Sequence, residues 1–363
     1  MANILDYIGW RGDIPFSVSP FNEVDNYIVT KIGTPDLTGV VPSDSAGVSI
    51  AQAVKTYYAL HGEAGDRLGA LASPDITPSF RALPGTVRFA PLRLSNYVRR
   101  VIPELTEQFS ALTIALPDGS HYISFRGTDD TLMAWKEDCL MAVEKAVPAQ
   151  TDAVEYLTQA AALHPGPLIV GGHSKGGNLA VYAAAMAPEA VQERILAVYN
   201  NDGPGFQEDF LTQPGYLRVR SRVHTLLPQF SLVGTLMTQE TNITVVRSTR
   251  PGIPAHDGFT WEVMGTRFVR CDELSRSSRA FDESMEATLR SMSLDERREF
   301  IDELFAALTA TGAVTITELT EHRLRQALSL VRSLRRSSRA KRFALDVLEG
   351  ILREYLPLRE KKN

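Results

Sequence analysis

The chain has 363 residues, of which 44% are hydrophobic and 22% charged, and its formal net charge is −5. This length suits one large domain with an appendage or two ordinary domains, and the composition is that of a folded globular protein. The negative net charge gives no global electrostatic case for nucleic-acid binding. Two cysteines, Cys139 and Cys271, are too few to form a metal site by themselves, so we expect reduced core residues and neither metal nor cofactor.

The first thirteen residues carry Asp6 and Asp13 and lack an uninterrupted apolar core, which argues against a secretory signal. No segment approaches the roughly 20 consecutive apolar residues that a membrane-spanning helix needs. We therefore expect a cytoplasmic protein.

Apolar spacing predicts helices over residues 46–72 and 94–109, although Pro103 interrupts the second. Residues 112–128 predict two strands joined by the turn PDGS. Beyond them, predicted helices and buried strands alternate, which favours an α/β fold with a mostly parallel sheet and helices on both faces. The alternating segments are a helix at 146–163, a strand at 167–170, a helix at 177–187, and strands at 194–200, 216–227 and 242–248.

After about residue 272 the sequence is charged, nearly free of Pro and Gly, and helical in period. We place the α/β domain at residues 1–271 and a helical C-terminal extension at residues 272–363. Residues 320–363 contain twelve Lys and Arg against five Asp and Glu, an excess of +7. Such a basic amphipathic segment either contacts a membrane surface or protein partner, or packs on the domain with its arginines in water.

The segment VGGHSKGGNL, residues 170–179, follows the predicted strand 167–170. Phosphate-binding loops need Lys-Ser or Lys-Thr after the last glycine, and dinucleotide loops need G-x-G-x-x-G; this segment has neither. It does contain G-x-S-x-G, from Gly172 to Gly176. Between a strand and a helix, this pattern predicts a nucleophile elbow, in which the two glycines let the turn close and Ser174 is the nucleophile.

A serine nucleophile needs a base, and the chain order in this kind of fold is serine, then Asp or Glu, then histidine. Four histidines precede Ser174, His224 lies in a predicted strand and His322 lies in the helical tail. His256 follows the last predicted strand on a loop rich in Pro and Gly. We assign it as the base; the alternative is a structural loop histidine.

Asp202 follows the strand after the nucleophile helix, at the sheet edge where catalytic groups of α/β proteins gather. We assign it as the acid that orients His256. The alternative is a turn aspartate that binds its own backbone. Asp257 adjoins the proposed base and is poorly placed to orient it.

We expect an oxyanion hole made by the backbone N–H groups of Lys175, directly after the nucleophile, and Thr128. Gly127 would permit the close backbone approach that this requires. Arg126 has two interpretations: a clamp for substrate, or an arginine that fixes the loop through buried hydrogen bonds.

The motifs FRGT and GHSKGG together resemble the class 3, fungal-type triacylglycerol lipases, and Trp135 and Asp138 match a W-x-x-D pattern of that family. A closer resemblance, over about residues 1–270, is to an uncharacterised bacterial family of lipase-like proteins in the α/β-hydrolase superfamily. This resemblance implies an α/β-hydrolase fold with the site residues Ser174, His256, Thr128 and Lys175. It is carried by NILDYIGWRGD, PFNEVDNYIV, GHSKGGNLA, DGPGF and the late HD followed by Trp261.

One departure concerns the acid. Class 3 lipases usually take it from the loop after the next strand, which corresponds here to residues 225–234. That segment contains no carboxylate, and Gln229 and Ser231 stand where an aspartate would be expected. Either Asp202 supplies the acid from one strand earlier, or the site is a dyad.

Two functions follow. The first is a serine esterase or lipase that cleaves the ester of a small molecule or lipid through an acyl-enzyme. The second is a catalytically idle binding or scaffold protein on the same fold. The apolar residues 230–237 fit an acyl pocket, a lid or core packing equally well.

Overall fold

The computed structural model describes residues 2–69, 72–239 and 242–319, together with positions 326, 329 and 331. Its centre is an eight-stranded sheet whose strands follow one another in chain order. The strands are Val48–Ser49 (β1), Arg93–Ile102 (β2), Glu107–Ala115 (β3), His121–Phe125 (β4), Leu168–His173 (β5), Ile195–Asn201 (β6), Val223–Pro228 (β7) and Ile243–Val246 (β8). A separate antiparallel pair is formed by Val263–Met264 (β9) and Arg267–Phe268 (β10).

The helices lie on both faces of the sheet. They are Ile4–Arg11 (α1), Glu23–Ile32 (α2), Ile50–His61 (α3), Ile76–Ala82 (α4), Leu132–Leu140 (α5), Pro148–Leu163 (α6), Lys175–Met186 (α7), Glu189–Gln192 (α8), Pro214–Val219 (α9), Arg276–Arg290 (α10), Leu294–Thr309 (α11) and Ile316–Glu318 (α12). Helices α1 to α4 pack on one face, and α6, α7 and α9 pack on the other. The strands supply both cores by alternation: on β4, Tyr122 faces α1 to α4, whereas Ile123 and Phe125 face the opposite core.

The sheet is antiparallel from β1 to β4 and parallel from β4 to β8. The predicted α/β fold with a helix-flanked, mostly parallel sheet is therefore confirmed, with an antiparallel half added at its N-terminal side. In the parallel half, the carboxyl ends of β4, β5 and β6 lie at the same edge of the sheet. Of the predicted functional residues, Thr128, Ser174 and Asp202 follow β4, β5 and β6, and His256 lies on the loop after β8.

The prediction of a helix over residues 94–109 is wrong. The stretch forms most of β2, a 3₁₀ turn at Pro103–Leu105 and the start of β3. The pairing of β2 with β3 is interrupted by a bulge between Ser95 and Val98, where Asn96 has a φ of 54°. A bulge shifts the alternation of inward and outward side chains, so the apolar spacing no longer shows the period of a strand. Likewise, only the second part of the predicted strand 216–227 is a strand, because α9 precedes it.

The described part of the C-terminal extension packs on α5 through a third apolar cluster. It contains Leu132 of α5 together with Ile301, Phe305 and Leu308 of α11. Most of residues 320–363, which carry the predicted membrane or partner contact, lie outside the described residues. Within the described ranges, no helix is both long and apolar enough to cross a bilayer, and no group of His, Cys, Asp and Glu is arranged to hold a metal ion. Both cysteines are free.

A buried ion pair joins the N-terminal region to the sheet. Both Arg88 and Asp25 have fully buried side chains, and the guanidinium Nε lies 2.7 Å from the carboxylate. The same arginine donates to the carbonyl oxygens of Ile14 and Ser19, at 3.0 and 2.9 Å. One guanidinium thus ties the loop after α1 and the first turn of α2 to the segment before β2.

We expect Asp25→Ala to lower the free energy of unfolding by about 3–5 kcal/mol, because it leaves the arginine charge buried without its partner. Urea unfolding followed by circular dichroism measures the change. Asp66→Ala, which removes the exposed partner of Arg81, is the matched control and should cost much less. Equal losses in the two variants would contradict this account.

Candidate active site

The turn between β5 and α7 has the geometry of a nucleophile elbow. Ser174 is its central residue and has φ 60° and ψ −134°, a conformation that residues with side chains rarely adopt. A Cβ atom on Gly172 would lie 2.1 Å from the carbonyl carbon of Gly176, and one on Gly176 would lie 2.2 Å from the carbonyl oxygen of Phe125. Both positions therefore require glycine.

The register of the sheet brings Asp202 to this turn. His173 pairs with Asn201 at the end of β6, and the N–H of Ser174 donates to the Asn201 carbonyl at 3.0 Å. The side chain of Asp202 is fully buried, and its Oδ2 lies 2.7 Å from Nδ1 of His256. A carboxylate only accepts hydrogen bonds, so Nδ1 carries the proton and Nε2 of His256 is left as the basic nitrogen.

Ser231 binds the other oxygen of the same carboxylate. Its hydroxyl donates to Oδ1 of Asp202 at 2.5 Å and accepts the N–H of Gly234 at 3.0 Å. Residues 225–234 contain no carboxylate, but the Ser231 hydroxyl among them holds the carboxylate of Asp202, which follows β6. Asp257 caps its own turn by accepting the N–H of Phe259 at 3.0 Å, so it does not orient the imidazole.

The loop that carries His256 is held by His173, the residue before Ser174. The ring of His173 packs against that of His256, with centroids 4.4 Å apart, and its Nε2 donates to the His256 carbonyl oxygen at 2.7 Å. Its Nδ1 then accepts from the ammonium of Lys31 at 2.9 Å. Burial holds the pKa of His173 well below its ordinary value, which favours this neutral tautomer, and burial lowers the pKa of Lys31 to about 8.

Two aromatic residues fix the same loop from the side of α2. The hydroxyl of Tyr27 accepts the N–H of Gly258 at 2.8 Å, and the indole of Trp261 donates to the Ala255 carbonyl at 2.8 Å. The two rings pack with centroids 5.3 Å apart. The imidazole is therefore positioned by bonds on both sides of its own residue.

The side chain of Lys175 lies in the interior. Its ammonium is 2.5 Å from Oε2 of Glu137, and both side chains are fully buried. It also donates to the carbonyl oxygen of Gln108 at 2.9 Å, and Glu137 accepts the N–H groups of Gln108 and Ala149 at 3.0 and 2.9 Å. This network fixes the first residue of α7 to α5 and β3.

The loop after β4 lies directly against Ser174. A Cβ atom on Gly127 would lie 2.7 Å from the carbonyl oxygen of His173 and 3.3 Å from Cβ of Ser174. Among the described residues, the N–H groups of Thr128 and Lys175 donate no hydrogen bond, so both are free to bind an oxyanion.

Asp138 links these two elements. Its carboxylate accepts the hydroxyl of Thr128 and lies 3.6 Å from the ammonium of Lys175. Burial raises its pKa to about 6, although Lys175 and Thr128 both act to lower it. The same burial raises the pKa of Cys139 to about 12, so this thiol is not a reactive thiolate.

The C-terminal extension pairs with the end of the same loop. Asp130 accepts the N–H of Ile316 on its carbonyl at 2.8 Å and the N–H of Thr317 on its carboxylate at 3.3 Å. Thr131 and Thr315 form an antiparallel bridge. The segment that precedes and begins α12 therefore holds the loop that follows Thr128.

The structure thus brings the predicted residues Ser174, His256, Asp202, Thr128 and Lys175 to one edge of the sheet. None of the hydrogen bonds in the described part of the chain joins the Ser174 hydroxyl to the imidazole. Sequence reasoning missed the supporting residues Lys31, His173, Ser231 and Glu137. The signal for His173 and Ser231 was present, because one lies in the G-x-S-x-G motif and the other stands where an acid was expected.

We expect Lys175→Met to lower the free energy of unfolding by about 3–5 kcal/mol, because Glu137 is left buried and unpaired. The double variant Lys175→Met, Glu137→Gln should recover part of this loss. Lys145→Met, at an exposed position, is the matched control and should change stability by less than about 0.5 kcal/mol. Urea unfolding gives all three values; no recovery in the double variant would contradict the pairing.

Comparison with known proteins gives a family for the chain. The Mbeg1-like family profile matches residues 83–306, more than half of the sequence. The search of curated proteins found no match. Several solved structures are similar at low identity and low TM-score, and three of them are as follows.

M37 lipase is 14% identical with a TM-score of 0.34, and the match covers 50% of this chain and 66% of that one, just under two thirds of its length. A mutant form of MDLA from Penicillium cyclopium is 12% identical with a TM-score of 0.37, covering 71% and 90%. A lipase from Rhizopus microsporus var. chinensis is 12% identical with a TM-score of 0.33, covering 72% and 91%.

The family match runs from the turn before β2 to α11, so it includes the nucleophile elbow, His256 and the first helices of the C-terminal extension. The resemblance to a lipase-like family that the motifs predicted is thereby confirmed, whereas a bacterial origin stays a prediction. The chain belongs to the Mbeg1-like family.

Proposed function

We propose that the protein is a serine hydrolase that cleaves a carboxylic ester of a small molecule or lipid through an acyl-enzyme intermediate. The observation that carries the proposal is the strained turn at Ser174 beside an imidazole whose Nδ1 is bonded, at 2.7 Å, to the buried carboxylate of Asp202. A serine hydroxyl needs a base, and the base needs a group that fixes its tautomer; this arrangement supplies both.

In the proposed first step, Oγ of Ser174 attacks the ester carbonyl carbon while Nε2 of His256 takes the hydroxyl proton. The oxyanion that forms on the carbonyl oxygen accepts hydrogen bonds from the N–H groups of Thr128 and Lys175. The imidazolium is stabilised by Asp202. It returns the proton to the alcohol oxygen as the carbon–oxygen bond breaks, which leaves the acyl group on Ser174.

In the second step, a water molecule attacks the acyl carbon and gives a proton to Nε2 of His256. The second tetrahedral intermediate collapses, its bond to Oγ breaks, and the proton passes from His256 to Ser174. The products are the carboxylic acid and the free enzyme. The hydroxyl of Ser231 supports both steps by holding Asp202 in its orientation.

The second candidate is a hydrolase-fold binding protein without activity. One observation favours it: the Ser174 hydroxyl makes no hydrogen bond to His256 among the described residues. Catalytic hydrogen bonds are often long before substrate binds, so this geometry does not by itself exclude catalysis. Reactivity of Ser174 separates the two candidates.

We expect a fluorophosphonate probe to label the wild-type protein at Ser174, because the probe reacts only with an activated serine hydroxyl. Ser174→Ala should lose the label entirely, and Ser43→Ala, at an exposed position, should keep it. Mass spectrometry of the labelled peptide identifies the site. An unlabelled wild-type protein would favour the idle candidate, and a label that survives Ser174→Ala would remove this nucleophile.

We expect Asp202→Asn to lower kcat for 4-nitrophenyl butyrate by about 10³- to 10⁴-fold, because an amide holds the imidazole in the wrong tautomer. Ser231→Ala should lower kcat/KM by only about tenfold, since it removes one hydrogen bond to the carboxylate. Steady-state kinetics measures both. If Asp202→Asn keeps more than about a tenth of the activity, the acid is assigned wrongly and a dyad operates.

A further inference from the structure

An open cavity of about 370 Å³ lies beside the loop that follows β4. Its walls come from the loop after α2, from α3 and the turn after it, from β2 and from residues 126–131. We call it the arginine pocket, because its lining includes three arginines. The charged residues of its lining are Arg67, Arg99, Arg126, Asp36, Asp129 and Asp130, with His61 at the rim.

The three carboxylates of the arginine pocket are already bonded. Asp36 lies 3.4 Å from Nε of Arg99 and accepts the N–H of Thr38 at 3.0 Å. Asp129 accepts the N–H and the hydroxyl of Thr131 at 2.9 and 2.6 Å. The carboxylate of Asp130 accepts an N–H from the start of α12. Their capacity to bind a cation from solution is therefore reduced.

Arg126 is in the opposite situation. Its side chain is half-buried, its Nε is buried without a hydrogen-bond partner, and the described residues form no ion pair with it. The interpretation that this arginine fixes the loop through buried hydrogen bonds therefore has no support in the structure. Arg67 is exposed and likewise makes no ion pair among the described residues. A buried guanidinium N–H without a partner is rare and costly, and a bound acceptor satisfies it.

The charge of Arg126 acts on its neighbourhood. Burial acts to raise the pKa of Asp36, but hydrogen bonds from Thr38 and the charges of Arg99 and Arg126 outweigh it and hold the pKa below its ordinary value. Burial lowers the pKa of Lys31 to about 8; the charge of Asp257 acts to raise it, and the smaller effect of Arg126 acts to lower it. The charge of Arg126 therefore acts on both the Asp36 carboxylate of the pocket and the Lys31 ammonium.

The backbone of Arg126 lies against the turn at Ser174. Its carbonyl carbon would lie 2.9 Å from a Cβ atom placed on Gly176, and the next residue, Gly127, packs against Ser174. The Arg126 guanidinium is therefore no farther than the length of its own side chain from the backbone that leads to Gly127 and Thr128. The arginine pocket and the turn at Ser174 therefore meet at one loop, residues 126–131.

We propose that the arginine pocket binds an anionic group of the substrate, and that the natural substrate is an ester that carries a carboxylate or phosphate a few bonds from the carbonyl that is cleaved. Arg126 would bind this group through its planar fork of N–H donors, with Arg67 at the mouth of the pocket. This inference rests on the proposed esterase function and specifies the class of its substrate.

Two matched pairs of esters test the inference on the full-length chain. 4-Nitrophenyl butyrate and the 4-nitrophenyl monoester of succinic acid differ by an anion on the acyl part. Monohexanoylglycerol and its phosphate differ by an anion on the alcohol part. We expect kcat/KM to favour the anionic member of at least one pair about tenfold or more. The pair that shows the preference distinguishes a carboxylate on the acyl part from a phosphate on the alcohol part.

The preference should depend on one side chain. Arg126→Gln should reduce the ratio of anionic to neutral kcat/KM about tenfold, mainly through KM, and Arg126→Lys should keep part of it because the charge remains without the fork. Arg267→Gln is the matched control, since it removes the same charge from the separate cavity beside Glu23 and His224. An unchanged ratio in Arg126→Gln, or an equal fall in Arg267→Gln, would overturn the inference.

Binding to Ser174→Ala separates this inference from the proposed function. Calorimetry with monohexanoylglycerol phosphate and monohexanoylglycerol needs no turnover. Tighter binding of the phosphate without any hydrolysis by the wild type would support the pocket and count against the esterase. Hydrolysis of both members of each pair at equal kcat/KM, with equal binding, would support the esterase and remove the pocket.

Discussion

The contact between Gly172 and Gly176 is the constraint on which the rest of the site depends. The chain can turn at Ser174 only if residues two before and two after it touch, and a single methyl group at either position would meet backbone. This contact fixes where α7 begins, and thereby directs the N–H of Lys175 and the hydroxyl of Ser174 to the same edge of the sheet. The positive φ of Ser174 is strain that the surrounding structure has to hold.

Buried ion pairs hold the strained turn at Ser174 in its conformation. The ammonium of Lys175 is bonded below the turn to Glu137, and Asp138 of the same helix binds Thr128. One helix, α5, thus holds the side chains of both Lys175 and Thr128, whose N–H groups are proposed to bind the oxyanion. Such networks cost desolvation and contribute little net stability compared with apolar packing, but they allow few alternative arrangements. Here they connect the elbow to the loop after β4 without using any of the groups proposed to react.

Much of the architecture could be predicted, because the parallel half of the sheet is built from short apolar strands and regular helices. Strand β2 could not be predicted, because its bulge at Asn96 disturbs the alternation of inward and outward side chains that marks a strand. At the site, motif and chain order predict Ser174, His256 and Asp202, which the structure brings to one edge of the sheet. The sequence offers no means of pairing Ser231 with Asp202 or Lys31 with His173, because these contacts join residues that are far apart along the chain and meet only through the sheet register.

The antiparallel bridge between Thr131 and Thr315 has a consequence for how the protein can vary. The change in composition near residue 272 suggests a domain boundary. The hydrogen bonds that Asp130 accepts from residues after this boundary nevertheless tie the extension to the loop after β4, two residues beyond Thr128. Insertions or deletions between α10 and α12 would therefore displace that loop. The C-terminal extension therefore supports the loop after β4. Evolution could lengthen, shorten or exchange the extension only together with that loop.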